Sequence, residues 1–211
     1  IAVAGDATTT TSVAISAQWP TIDSALLLEA DPTGGSLTGW LGTPPNPSLA
    51  TLIATVGNDA RSCADNASVL STVAEMTHHS AAGVQFIANA VRARAASRAV
   101  NEAATVLLPV LVAAPNTVIA DVGVHRSGHA PSPALAAADV AVIVHRQGAA
   151  SAAAAAVRIE RLVEVVEELA HLDATIILAV VGRDPFNPDE IATFVAQSVP
   201  DVVQRSAALA D

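Results

Sequence analysis

The sequence predicts an α/β fold, a doubly wound and mostly parallel sheet of the three-layer αβα kind, and two patterns carry that prediction. Short apolar runs rich in Val, Ile and Leu recur along the chain, with helix-compatible stretches between them. The runs are continuous rather than alternating, as in strands covered on both faces. The chain has 211 residues, 52% of them hydrophobic, enough to bury a sizeable core and too apolar for a disordered polymer. No linker interrupts it, so residues 1–211 are read as one domain.

Ile1 to Gly5 is an apolar run closed by a glycine, and Ala25 to Glu29 (ALLLE) repeats the form with an acid at its end. Gly83 to Ala88, Thr117 to Val122, Val140 to His145, Ala174 to Val181 and Val202 to Gln204 read as the remaining strands. Between them Thr11 to Trp19, Leu49 to Val56, Ala67 to Met76, Val91 to Val112, Ala149 to Leu169 and Pro188 to Gln197 read as helices. The clearest is Ser151 to Leu169. There Val157, Leu162, Val165, Val166 and Leu169 form one apolar face against Arg158, Arg161, Glu164, Glu167 and Glu168. Glu164 and Glu168 are like charges at i, i+4, which predicts a solvated face for them. Glycines and prolines cluster at Pro32 to Pro47, and a second loop runs from His125 to Pro133. Both follow the carboxyl ends of predicted strands, where an open α/β sheet builds its ligand crevice.

Twenty acidic residues face ten basic ones, a net charge of −10. A surface this acidic repels phosphate backbones, so nonspecific nucleic-acid binding is not expected. The single cysteine, Cys63, cannot close an internal disulfide, and a reduced, cytoplasmic setting follows. No apolar run reaches the ~18 residues of a membrane span. The longest, Val106 to Ala120, is broken by Pro109, Pro115 and Asn116. The sequence opens on Ile1 inside a strand-like run, without an initiator methionine, which leaves room for preceding residues. All ten basic residues are arginine and none is lysine, a bias that GC-rich codon usage also produces.

The run GDATTTTS, Gly5 to Ser12, stands between the first strand and its helix, the setting of a phosphate-binding loop. Gly5, Thr10, Thr11 and Ser12 fall where the pattern GxxxxGK[ST] has Gly, Gly, Lys and Ser/Thr. The spacing survives and the chemistry does not. A β-carbon at Thr10 narrows a cradle that needs close backbone approach. Thr11 offers a neutral hydroxyl where lysine would hold the terminal phosphates. Asp6 adds a negative charge at the mouth, worth roughly 1 to 4 kcal/mol of repulsion depending on the local dielectric. The helix N-terminus and the hydroxyls of Thr8, Thr9, Thr10, Thr11 and Ser12 still favour an anion. Taken alone, the loop is better accounted for by simple N-capping through the same Thr/Ser run.

Three segments in order, GDATTTTS, ALLLEADPTGGSLTGWLG (Ala25 to Gly42) and TVIADVG (Thr117 to Gly123), give the chain its family likeness. It resembles the MinD/ParA branch of the SIMIBI class of P-loop proteins over nearly its whole length. Within that branch it looks most like a lysine-less actinobacterial group of MinD-like proteins, whose second strand ends in EADPxGG. Glu29, Asp31, Pro32, Gly34 and Gly35 match that signature. The resemblance implies that Asp31 stands where active relatives contact magnesium or position the attacking water, with Glu29 as the first acid of the pair. Asp121 would be the Walker B carboxylate and Gly123 the switch II glycine. Asp31 reads equally as a turn former, standing before Pro32 as a natural turn initiator, whereas for Asp121 the site reading outweighs that of a cap or turn former. Gly182 and Arg183 stand at the base-recognising edge, where many relatives carry asparagine. Asp6 replaces the lysine that reaches across the dimer in this branch.

Elsewhere His125 and His129 sit four apart, but Arg126, Ser127 and Gly128 between them make a loop and no third metal ligand is evident. His78 and His79 read as the end of a polar helix, His171 as another helix end, and His145 with Arg146 as the close of a strand at the ligand edge. Arg92, Arg94 and Arg98 form the one patch that would suit DNA, against the acidic whole. Trp19 is expected in the core and Trp40 at an interface. No catalytic triad, Cys/His pair or metal site is predicted.

The expectation is a noncatalytic pseudo-ATPase, with no catalytic residue and no cofactor, acting as a homodimeric scaffold or localisation factor within a larger protein assembly. The resemblance extends to the positioning subunit of a Tad-type pilus or secretion assembly, with recruitment to the pole, the septum or the inner membrane face. Any membrane contact would be indirect or through further terminal residues. The alternative is an ATP- and magnesium-binding switch in cell division or chromosome partitioning, in which hydroxyls and a partner's arginine replace lysine.

Overall fold

Strand β1 (Ala2–Gly5) is buried completely at Ala2, Val3 and Ala4, as its apolar run requires. It opens a computed structural model that describes residues 1–20, 25–60, 65–148, 151–182, 184–199 and 203–209. After it come α1 (Thr8–Ala17), β2 (Ala25–Glu29), α2 (Leu37–Leu41), α3 (Leu49–Ala60), α4 (Asn66–Glu75), β3 (His78–His79) and β4 (Gln85–Ile87). Then follow α5 (Ala93–Val106), α6 (Leu108–Val112), β5 (Thr117–Asp121), α7 (Pro133–Ala136), β6 (Val140–Arg146), α8 (Ala152–Leu169), β7 (Thr175–Val181), α9 (Pro188–Ser198) and β8 (Val203–Leu209). The chain divides into two compact units, residues 9–123 and residues 1–8 with 124–211.

In the unit of residues 9–123, β2 lies between β4 and β5 and runs parallel to both, while the short β3 is antiparallel to β4. The register places Glu29 opposite Asp121, so two acids share one strand end. Leu27, Leu28, Phe86, Ile87 and Ile119 from the strands, with Leu49, Leu52 and Val56 from α3, are buried. In the other unit β1, β6, β7 and β8 are parallel neighbours, and Gly5 pairs with Val144. Parallel strands need crossover connections, which α8 supplies between β6 and β7 and α9 between β7 and β8.

Local chemistry sets the helix starts. Asp65 caps α4 by accepting Ser68 N (2.9 Å), and Ser151 caps α8 by accepting Ala154 N (3.2 Å). Asn187 and Glu190 close a reciprocal capping box on α9.

Four expectations are corrected. Helix α1 starts at Thr8 rather than Thr11, leaving only Asp6 and Ala7 as the turn after β1. The long helix from Val91 is two helices, because Pro109 has no N–H to donate and its ring crowds the preceding turn. His78 and His79 form a strand instead of a helix end; His78 stacks on Phe86 (ring centroids 5.0 Å apart) and its Nε2 donates to the Pro47 carbonyl (2.6 Å). On α8 the buried stripe is Ala155, Ile159, Leu162, Val166 and Leu169, and Val157 is 47% exposed.

Candidate functional site

The acid pair at the ends of β2 and β5 is deeply buried, Glu29 at 1% and Asp121 at 0% exposure. A carboxylate out of water is costly unless hydrogen bonds replace its solvent. Glu29 has three such bonds. Its Oε1 accepts Ser36 N (2.5 Å) and Leu37 N (2.9 Å), and its Oε2 accepts Asn89 N (2.8 Å). Burial nevertheless pushes the Glu29 pKa up; the three amides oppose the shift, and the neighbouring Asp121 adds to it. Asp121 Oδ2 accepts the Thr9 hydroxyl (2.6 Å), and its Oδ1 accepts Gly123 N (3.2 Å).

Asp31 is a turn former. Its Oδ1 accepts both the amide and the hydroxyl of Thr33, each at 2.7 Å, closing a turn over Pro32. Gly123 lies against this carboxyl: a β-carbon there would fall on the Asp31 side chain, and its φ of +70° also favours glycine. Asn89, 3% exposed, ties the two acidic positions together, since its Nδ2 donates to the Asp31 carbonyl (3.0 Å) while its own amide reaches Glu29. Gly35 is needed by the same cluster, because a β-carbon there would stand 2.5 Å from both Glu29 Oε2 and the Asn89 carbonyl. The structure thus brings Glu29, Asp31, Asp121, Gly123 and Thr9 together. Asn89 escaped the sequence reading, although an amide directly after a predicted strand was its signal.

The start of the loop is held separately. Gly5 has φ +111°, and a β-carbon on it would collide with the Val144 carbonyl oxygen. Asp6 N donates to that same oxygen (2.8 Å). The Asp6 carboxylate accepts Arg158 Nη2 (2.7 Å) and Arg146 N (3.3 Å), and Arg158 Nη2 also donates to the Arg146 carbonyl (2.8 Å). Ala7 occupies a left-handed conformation (φ +52°) that costs a non-glycine residue about 1 kcal/mol. Thr8, Thr11 and Ser12 are buried, Thr10 is exposed, and the buried Ser12 hydroxyl has no hydrogen-bond partner.

At Gly182, where the resemblance set a base-recognising edge, the carbonyl accepts Gln147 Nε2 (2.9 Å). Gln147 also donates to the Phe186 carbonyl (2.8 Å) and accepts the Phe186 amide (3.1 Å). Arg183 lies outside the described residues, as does Cys63. The His125–His129 loop is a loop, as expected, but Glu164 and Glu168 do more than face solvent. Glu164 accepts the Ser127 hydroxyl (3.1 Å) and Glu168 the Gly128 amide (2.7 Å). Among the described residues no group of three or more His, Cys, Asp or Glu is placed to hold a metal ion.

Of the remaining candidates, Arg98 pairs with Glu102 on the surface of α5 (2.7 Å), and Trp40 on α2 is 61% exposed. His145 is 6% exposed, and burial, followed by the nearby Arg158, lowers its pKa. No helix is long and apolar enough to cross a membrane among the described residues.

No protein-family model matches the chain, and no curated protein matches it in sequence. Solved structures do match. A ParA family ATPase from Chlorobium tepidum superposes with a TM-score of 0.63 at 16% identity, covering 99% of this chain and 81% of the other. The fold is that of ParA- and MinD-type ATPases. The cell division ATPase MinD of Pyrococcus furiosus gives a TM-score of 0.57 at 17% identity, covering 97% and 81% of the two chains. Cyanthece McdA gives 0.54 at 16% identity, covering 100% and 84%. The α/β, mostly parallel architecture read from the sequence is therefore the one found, and the likeness is a likeness of fold.

Proposed function

We propose that this ParA/MinD-like chain is noncatalytic and works as a scaffold or localisation factor. The observation that carries the reading is the start of α1 at Thr8. Three residues expected to wrap a phosphate, Thr8 to Thr10, are instead helical, and no lysine stands between Thr8 and Ser12. ATP and magnesium, the ligands an ATPase of this fold implies, fit these residues poorly. The position that should carry charge is Thr11, 6% exposed, and the nearby Asp6 is an anion already bound to Arg158. Asp31 and Asp121 each accept two hydrogen bonds from backbone or hydroxyl groups of the chain itself. Their geometry suits holding turns in place. Gln147 engages the backbone at the base edge, where a nucleobase would need those same polar groups.

The biological role follows from the sequence resemblance: a homodimer that positions a larger assembly, with the positioning subunit of a Tad-type pilus or secretion machine as the specific case. Foci at the pole or septum in cells, together with a dimeric mass for the purified chain, are the expected results. A monomer spread evenly through the cell overturns this role.

One observation favours the alternative of an ATP-binding switch. The Ser12 hydroxyl is buried without a partner beside the N-terminal turn of α1, a place where an anion would find donors. Steady-state phosphate release with ATP and magnesium separates the two readings. The noncatalytic reading expects no release above a protein-free control, and turnover lost in Asp121→Ala supports the switch.

A further inference from the structure

A cavity of about 390 Å³ lies within the unit of residues 1–8 and 124–211. It shares only Gly5 and Asp6 with the degenerate phosphate loop and includes none of Thr8 to Ser12. Its wall is apolar, formed by Ile143 and Val144 of β6 with Leu162 and Val165 of α8. Three of the chain's ten basic residues line it, Arg126, Arg158 and Arg161. In a chain of net charge −10, that is a local reversal of sign.

The charges are unequally engaged. Arg158 is neutralised by Asp6 at 2.7 Å, so the one acid lining the cavity is already paired. Arg126 and Arg161 have no ion pair among the described residues. Glu164 and Glu168, the acids of the same helix nearest this loop, are bonded to Ser127 and Gly128 and do not line the cavity. A second, independent feature points the same way. His125 lines the cavity, and its Nε2 is buried with no hydrogen-bond partner, although a buried polar nitrogen left unpaired costs free energy. Burial lowers the pKa of both His125 and His145, so the positive charge of the cavity comes from arginine.

We propose that this cavity is a binding site for a small amphipathic anion, a carboxylate or phosphate monoester on an apolar body. The anionic head would meet the guanidinium groups of Arg126 and Arg161, whose planar donors suit either oxyanion. The body would lie against Ile143, Val144, Leu162 and Val165. Hydrogen bonding to the head or its neighbouring atoms would satisfy His125 Nε2. This inference does not depend on the fate of the phosphate loop.

The test is calorimetric titration of the purified chain with octanoate, octyl phosphate, 1-octanol and inorganic phosphate. At least one of the two amphipathic anions binds 1:1 with Kd below about 1 mM, and which one does so identifies the head group. Octanol and inorganic phosphate each bind at least about tenfold more weakly, since each lacks one half of the recognition. The double variant Arg126→Gln/Arg161→Gln, at two exposed side chains, loses about tenfold for the anion, whereas Arg98→Gln on α5 changes it by less than about twofold. Three results overturn the proposal: no saturable binding of either amphipathic anion, octanol binding as tightly as both, or an unchanged affinity in the double variant.

Discussion

Two clusters of charged side chains, one in each unit, are treated in opposite ways. In residues 9–123 the acids Glu29, Asp31 and Asp121 are all satisfied, each accepting at least two hydrogen bonds from the chain's own amides and hydroxyls. In the other unit Arg126 and Arg161 line a cavity with no ion pair among the described residues, next to a histidine nitrogen that has no partner. Position in the fold therefore does not decide whether a charge serves architecture or ligand binding. The number of internal partners decides it, because a fully satisfied group gains little from an incoming ligand. The acids of residues 9–123 hold turns.

The largest expected effects come from the glycines that let each cluster close. Gly5→Ala forces a β-carbon onto the Val144 carbonyl at φ +111°, so thermal melting is expected to show a loss of about 3 kcal/mol or more. Gly123→Ala presses on the Asp31 carboxyl and is expected to cost about 2 kcal/mol by the same measurement. If Gly123→Ala were neutral, the tight packing of the acid cluster would be wrong.

Glu29→Gln comes next. The amide keeps one acceptor oxygen but turns an N–H₂ group toward a backbone donor, Ser36 and Leu37 on one side or Asn89 on the other. The expected loss is about 1 to 3 kcal/mol. It also has a pH signature. A pKa raised on folding means that the native state holds the proton more firmly, so this contribution is full below the ordinary glutamate value of 4.5 and declines as pH rises through the raised pKa. The stability advantage of the wild type over Glu29→Gln should therefore be greatest in acid and shrink upward across that window in denaturant titrations. An advantage that grows with pH contradicts the burial-driven shift.

Thr9→Val removes the hydroxyl that caps Asp121 and is expected to cost about 1 kcal/mol in chemical denaturation. The smallest effect belongs to Asp6→Asn. Its ion pair with Arg158 is about 40% exposed, and solvent screening limits the loss to about 0.5 kcal/mol, seen as a small shift in urea midpoint.

Much of this was legible in the chain. Buried parallel strands are legible as continuous apolar runs, and the resemblance carried by the EADP and ADVG segments assigns Glu29, Asp31, Asp121 and Gly123 to one site. What escaped was information that depends on distance in space. Arg158 looked like a solvated helix charge because its partner, Asp6, is 152 residues away. Asn89 and Gln147 act on backbone groups brought near only by folding. Thr8 to Thr10 read as loop because a phosphate-loop spacing suggested it and threonine favours the cap over the helix, yet they form the first turn of α1. His78 and His79 followed a helical run closely enough to mask the hairpin with Gln85 and Phe86.

The central proposal is that the cluster of Glu29, Asp31 and Asp121 is closed by hydrogen bonds from the chain itself and that a chain without lysine holds no triphosphate there. Isothermal titration of the purified chain with ATP and magnesium, alongside Asp121→Ala, tests it directly. The account predicts no saturable heat for either protein up to about 1 mM nucleotide. Micromolar binding by the wild type that disappears in Asp121→Ala would contradict it.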